Sequence, residues 1–570
     1  MDTSKLVEQL LPVVWVLWCL SAVVLGVDVV RRDLWPHPER RRAVAILFAV
    51  AIVAPAVTLF LPVRVDSSGL MQLCTGTETW IGASGKALVR ALRVVWPLSH
   101  TDIIHVTRAW FVPTCLLVIL SHQAPQRSKP EWTKAGIDLQ LLLGAGVLLV
   151  TPSFLFGVLG VYSFWFVCSI ELAMLLAWRE LTCAPTWSAR ILLISSVVLV
   201  GFTRPELIVG GLVLAILAAV FAWGRRDWVL FVLAALTAVV LGAVTPTVLA
   251  YLGEQMRTQP LLTGADATGD APAWWMMPWI TIRRIAVHVP LNVLLLLIAF
   301  HGMGVLAVGR AVRMVRERRV SWPEVAAFAL ILTEFLAIGV HRAGFVRYVK
   351  YGQLLVVPTW FVASAACYAL PPERKVRAWI IGSLVAGIML SLGSASVSLL
   401  GYTRCSLPEG HTLAARMHDE TLLWKTAPQW AQSLCGGKHE PLRVVVVGLD
   451  ERVMRRSNAT KEMFSKPSCE PERWPLVHAL MRSGCMATAA YPIAQMPVDE
   501  ALFDPEHGAL CREVSFDDSG QHLALATHAI VTFYRPERLA EIRSAVGQQE
   551  TCRWDVVEVA ESAVLLRRAR

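Results

Sequence analysis

Long apolar runs constrain this chain more than any other feature. A run near twenty residues, wound as a helix, spans the roughly 30 Å of hydrocarbon in a bilayer. About twelve runs approach or reach that length: roughly 10–30, 43–63, 109–121, 138–156, 158–178, 190–203, 206–224, 228–250, 286–308, 325–341, 353–370 and 378–400. The chain is 55% hydrophobic and 17% charged, whereas a soluble domain is about a quarter charged. The first run, Leu10 to Val30, has no small-residue cleavage site after it, so it is expected to stay as a span. The expected class is a polytopic α-helical membrane protein.

Charge then sets orientation. The net charge of +10 does not point to nucleic acid, because the basic residues sit in short loops between apolar runs. Arg31, Arg32 and Arg40 to Arg42 fill the first loop. Arg127, Lys129 and Lys134 follow in the third, then Arg179 and Arg190, Arg225 and Arg226, Arg310 to Arg319, and Arg374 to Arg377. All fall in alternate loops, which are therefore expected on the cytoplasmic side. Residues 64–108, 204–206, 251–285, 341–352 and everything after 401 then face outward, with both termini outside.

Residues 401–570 read as a separate soluble domain following a transmembrane domain over 1–400. Leu442 to Val447 is a β-branched run, Ala529 to Tyr534 a second strand, and Val556 to Arg567 a hairpin around Glu561-Ser562. Helical patches such as Trp474 to Arg482 and a helix start over Asp450 to Arg456 alternate with these, which predicts a small α/β fold. Cys405, Cys435, Cys469, Cys485, Cys511 and Cys552 all lie here. An even count in an outside domain predicts up to three disulfides, with connectivity left open.

Chemistry-bearing residues concentrate on the outward side. Asp66 stands where the 43–63 run meets water, a place where a carboxylate is hydrated and can carry a proton. The same loop holds His100, Asp102, His105 and Arg108, a spacing suited to a metal or to proton transfer, or to a plain polar turn. Arg204-Pro205-Glu206 joins two runs; a charge placed in a bilayer must face protein, water or ligand. His341, Arg342, Arg347 and Lys350, with Tyr348 among them, run against the inward bias of positive charge, which an anionic ligand such as a lipid phosphate explains. Trp274 to Trp279 followed by Arg283 and Arg284 fits an interfacial helix that admits a lipid tail, or an aromatic belt. Glu171 and Glu334 fall inside spans, where each is expected to be buried against polar partners.

An acidic residue ending a helix before a large outside loop, an Arg-Pro-Glu at a tight turn, and an Arg-Tyr opening a late span that contains Pro358 together resemble the GT-C superfamily of integral membrane glycosyltransferases. That superfamily includes protein O-mannosyltransferases and the lipid A aminoarabinose transferase. Two features depart from its pattern: Ser67-Ser68 stand where a second acid is common, and a whole span precedes the helix ending at Asp66. The resemblance implies a GT-C-like fold in a cell membrane such as the bacterial inner membrane, with the active site exoplasmic. It also implies sugar transfer from a polyprenyl-phosphate donor to a glycan, lipid or protein acceptor. Asp66 inherits the role of general base. Arg204 and Arg347, with Arg342 and Lys350 beside them, inherit the donor phosphate, and Asp102, His105, Glu206 and Glu171 are candidates to line the site. No cofactor is required, though a divalent metal fits the scheme. The rival functions are a lipid-linked saccharide transporter or flippase, a surface polysaccharide polymerase or ligase, and a membrane-anchored scaffold.

Overall fold

A computed structural model describes residues 3–58, 83–95, 109–122, 133–134, 136–149, 166–203, 207–258, 303–317, 321–340 and 355–365, then 442–449, 485–490, 497–504, 508–516, 523–533, 537–547, 552–560 and 563–569, with isolated positions between them. The chain divides into two compact units, Met1–Ser394 and Ala395–Arg570.

The first unit is helical. Its elements are α1 (Thr3–Val29), α2 (Pro38–Thr58), α3 (Ala83–Val95), α4 (Phe111–Ser121), a short ribbon of β1 (Thr133–Lys134) and β2 (Ile137–Asp138), α5 (Leu139–Leu149), α6 (Val167–Cys183), α7 (Trp187–Gly201), α8 (Ile208–Arg225), α9 (Trp228–Thr258), α10 (Met303–Glu317) and α11 (Trp322–Val340), with a last apolar helix over Leu355–Ala365. Three described segments are long and apolar enough to cross a membrane: Gln9–Leu34, Ile208–Arg225 and Trp228–Ala250. The other expected spans are shorter here or fall partly or wholly outside the described residues. In α1 the face carrying Leu10, Val13, Leu17, Leu20 and Val24 is exposed, while Leu11, Trp15, Trp18 and Leu25 are buried. A helix apolar on its outward face as well as its inward one suits lipid rather than water. At the centre stands α6, in which even Cys168, Ser169, Glu171 and Trp178 are fully buried. It packs on α4, α7 and α11.

Two stretches expected as loops are helices. Residues 83–95, inside the expected loop 64–108, form α3 because Ser84, Ala87 and Leu88 recur at helical spacing and bury one face, while Arg90 stays exposed. Residues 309–317 continue α10, where Arg310, Arg313 and Arg316 repeat every three positions.

Ion pairs gather the helix ends on one side. Arg32, just beyond α1, binds Asp33 at 2.9 Å and Glu180 of α6 at 2.8 Å. Arg179 binds Glu180 at 2.9 Å and donates to the His122 carbonyl at the end of α4 (2.9 Å). Arg40 at the start of α2 meets Asp138 at 3.4 Å, and Asp138 in turn caps α5 by accepting from the Leu141 amide (3.0 Å). Arg190 of α7 pairs with Asp227 between α8 and α9 (2.9 Å), and Arg310 of α10 with Glu324 of α11 (2.7 Å). Every residue in this set comes from a loop or helix end whose arginines assigned it to a single side.

The second unit is a five-stranded sheet in the order β4-β3-β7-β9-β8, formed by β3 (Arg443–Gly448), β4 (Met486–Ala490), β7 (His528–Thr532), β8 (Trp554–Val559) and β9 (Ala563–Arg568). β5 (Val514–Ser515) and β6 (Leu523–Ala524) pair as a separate two-stranded ribbon whose Val514 packs in the same core as one face of the sheet. β3 is parallel to both β4 and β7, while β9 runs antiparallel to β7 and pairs with β8 in the expected hairpin. Val444 to Val447 are fully buried, as a parallel strand covered on both faces requires. One face packs Trp430, Leu476 and Leu480, and the other packs α12 (Val498–Phe503) and α13 (Glu537–Gly547). A disulfide staples each face: Cys435–Cys485 on the first and Cys511–Cys552 on the second. Cys405, Cys469 and the expected helix start at 450–456 lie outside the described residues.

The α7–α8 hairpin depends on backbone contact. A Cβ on Gly211 would stand 2.9 Å from the Gly201 Cα and 3.2 Å from the Val197 carbonyl oxygen. Backbone cannot swing aside as a side chain can. Gly211→Ala is therefore expected to destabilise the helical unit by ~1–3 kcal/mol, read as a lowered thermal midpoint in detergent. Gly224→Ala on the same helix, where a Cβ meets nothing within 4 Å, is the control and should leave that midpoint unchanged or raise it slightly.

Candidate functional site

Away from the ion-paired side, four elements converge on one tryptophan. The Trp15 indole donates to the Ser84 carbonyl of α3 (2.6 Å), and the Ser84 amide donates to the Phe202 carbonyl at the end of α7 (3.0 Å). Trp15 meets Trp18, Trp110 and Phe166 edge-on at 5.3, 6.2 and 5.7 Å between ring centres. A buried indole N–H needs an acceptor. Trp18 finds one in Ser196 Oγ (2.9 Å) and Trp110 in Ser169 Oγ (2.8 Å), which also lies 2.6 Å from Thr114 Oγ1. Trp15 stands five residues inside the apolar run that opens at Leu10, about 8 Å along the helix. The starts of α3 and α6 and the α7–α8 turn thus meet α1 at a level inside its apolar run. Together they make an aromatic floor with hydroxyls set into it.

Just beneath that floor, two residues past Ser169, Glu171 faces Glu334 of α11. Both are completely buried, and among the described residues no donor reaches any of their four carboxyl oxygens. Polar partners were expected for each, and among the described residues each has the other. Cys168, one turn before Glu171, lies against the same pair. The neighbour of Glu334, Thr333, packs on Gly210, where a Cβ would meet its Oγ1 at 3.0 Å. Gly210 lies four residues past Glu206 in the chain.

A second buried titratable group lies on the ion-paired side. His122 ends α4, tilted against Trp360 at 5.9 Å between ring centres. A Cβ on Gly144 would stand 2.2 Å from His122 Nε2, so only glycine leaves room for the imidazole. The Gly144 carbonyl accepts from the Trp360 indole (2.8 Å). Val29, Asp33, Arg40 and Arg179 complete the small cavity around His122. Burial, then the charges of Arg179 and Arg40, push the imidazole down to about 3, so it is neutral at physiological pH. Sequence reasoning missed this group; its only signal was one histidine at the end of an apolar run.

Of the candidates named from the sequence, Glu171 and Glu334 are the ones the structure places. Asp66, Asp102, His105, Arg204, Glu206, Arg283, Arg284, Arg342, Arg347, Tyr348 and Lys350 lie outside the described residues. Among the described residues no group of three or more His, Cys, Asp or Glu side chains is placed to hold a metal ion. No protein-family model matches the chain, and no curated protein matches it.

The His122 environment predicts a pH dependence. Its folded value is depressed, so below the ordinary value of 6.5 the unfolded chain takes a proton that the folded chain refuses. The stabilisation is fully present above pH 6.5 and is lost as pH falls toward 3. Between pH 6.5 and 5 the loss amounts to about 2 kcal/mol. Unfolding midpoints across that range should fall more steeply for wild type than for His122→Asn, which removes the titration.

Proposed function

We propose that the chain is an exoplasmic-face membrane glycosyltransferase that moves a sugar from a polyprenyl-phosphate donor to a glycan, lipid or protein acceptor. Its frame is the twelve-span, GT-C-like arrangement expected from the sequence, with the ion-paired helix ends in the cytoplasm and residues 401–570 outside. The supporting observation is the level of the floor around Trp15. Phe202 and Thr203 on one side of Arg204-Pro205-Glu206, and Leu207 on the other, are all buried, and Phe202 is tied through Ser84 to Trp15 inside the apolar run of α1. An arginine carried between such residues costs about 2.5–3.5 kcal/mol at membrane depth unless something polar meets it. An anionic lipid phosphate is such a partner.

In this mechanism Asp66 takes the proton from the acceptor hydroxyl as that oxygen attacks the anomeric carbon. The bond from that carbon to the phosphate oxygen breaks, and the electron pair leaves with the phosphate. Arg204 and Arg347, with Arg342, Tyr348 and Lys350, neutralise the departing charge. Arg283 and Arg284 hold the lipid at headgroup depth. Asp102, His105 and Glu206 line the acceptor side. A divalent metal has a place only if His105 and Asp102 converge on one.

The test uses the purified full chain in lipid nanodiscs with a labelled polyprenyl-phosphate sugar. Wild type is expected to release label from the lipid. Asp66→Asn, which keeps the size and removes the base, is expected to lose about 10²–10⁴ in rate with its folding unchanged. Equal turnover by both proteins would remove Asp66 from the chemistry. No turnover by wild type with any polyprenyl-linked sugar would favour a lipid-linked saccharide transporter instead.

A further inference from the structure

We propose that Glu171 and Glu334 form a proton-binding site inside the helical unit, holding one proton between their carboxyl groups. The pair joins α6 to α11 at a place where both side chains are fully excluded from solvent. Among the described residues their oxygens meet no N–H or O–H donor. Two ionised carboxylates offer only acceptors to one another, and an uncompensated charge in such an interior is expensive. A single proton removes the repulsion between them and halves the buried charge. It makes one group a donor and the other its acceptor, and it turns repulsion between like charges into a charge-assisted hydrogen bond.

The surroundings leave the proton as the fitting occupant. Among the described residues the titratable group against the pair is the thiol of Cys168, which supplies no positive charge. On the packed elements, Cys115 of α4 is a second buried thiol. Arg179 and Glu180 of α6, Arg190 of α7, Arg225 of α8 and Glu324 of α11 stand toward the opposite helix ends, in the ion-paired set or beside it. Among the described residues no group of three His, Cys, Asp or Glu side chains is placed to hold a metal ion there. Ordinary interhelical glue would not need two acids, because a glutamine paired with a glutamate gives the same bond with no proton. Lying two residues from Ser169 and its hydroxyl pair with Thr114, the site stands next to the floor around Trp15. A proton stored there is therefore close to the outward side of the unit. This assignment does not rest on the transferase chemistry.

The direct test is infrared spectroscopy of the purified full chain in nanodiscs near neutral pH. The carbonyl stretch of a protonated carboxyl separates from carboxylate and amide bands. Wild type is expected to show that band, and Glu171→Gln with Glu334→Gln in one chain to lose it. Each single variant keeps an interhelical hydrogen bond between the new amide and the remaining carboxyl, so each should fold. Absence of the band in wild type overturns the proposal without reference to any variant. Its persistence in the double variant overturns it too. A thermal midpoint raised by sodium, potassium, magnesium or calcium in wild type but not in the double variant would mean a metal cation occupies the pair, and would also overturn it.

Discussion

The ion pairs along one side of the helical unit fix the rest of its architecture. Arg32, Arg40 and Arg179 meet Asp33, Asp138 and Glu180, and they draw together the ends of α1, α2, α4, α5 and α6. Asp138 and Glu180 are almost completely buried, and so is Arg40. A buried pair of this kind contributes little net stability compared with an apolar replacement, but removing one partner strands the other at about 3–5 kcal/mol. Its effect is specificity, since any slip of one helix along another breaks several bonds at once. Trp178 stacked on Trp322 at 6.4 Å, with Phe221 edge-on to both, ties α8 and α11 to the same side.

With one side locked, short helices decide what lies at the other. α4 has 11 residues and α7 has 15, too few to match the 27 of α1. Anchored at the ion-paired side, they end within the depth of α1, and the Trp15 floor forms where they stop. The indoles there are polar at one edge and apolar elsewhere, and each described N–H finds a hydroxyl or carbonyl. The Glu171–Glu334 pair departs from that rule, because its oxygens meet no donor. The proposed proton supplies the missing donor.

Much of this was legible in the sequence. Apolar run lengths placed α7, α8 and α9 to within a few residues of where their apolar portions begin and end. The alternation of basic loops identified the helix ends that the ion pairs join. The β-branched run at 442–447 and the hairpin about Glu561-Ser562 marked the sheet. The helix α3 was missed because an amphipathic stretch among glycines and serines reads as loop until α1 supplies a surface for Ser84, Ala87 and Leu88. The partnership of Glu171 with Glu334 was hidden for another reason. Each was visible as an acid inside a span, but 163 positions separate them and only the packing of α6 on α11 brings them together. His122 was visible only as a histidine ending an apolar run, because the groups around it, Gly144, Trp360, Arg40 and Arg179, come from distant elements.

The central claim is that the ion-paired side faces the cytoplasm and the disulfide-stapled sheet lies outside. Labelling of intact cells with a membrane-impermeant maleimide tests it most directly. The labelled proteins carry Val557→Cys on an exposed strand position, or Gly224→Cys in the last turn of α8, in a Cys183→Ser background. The account predicts labelling above background for Val557→Cys in intact cells, and for Gly224→Cys only after the membrane is permeabilised. Labelling of Gly224→Cys in intact cells, with Val557→Cys protected, would invert the orientation and contradict it.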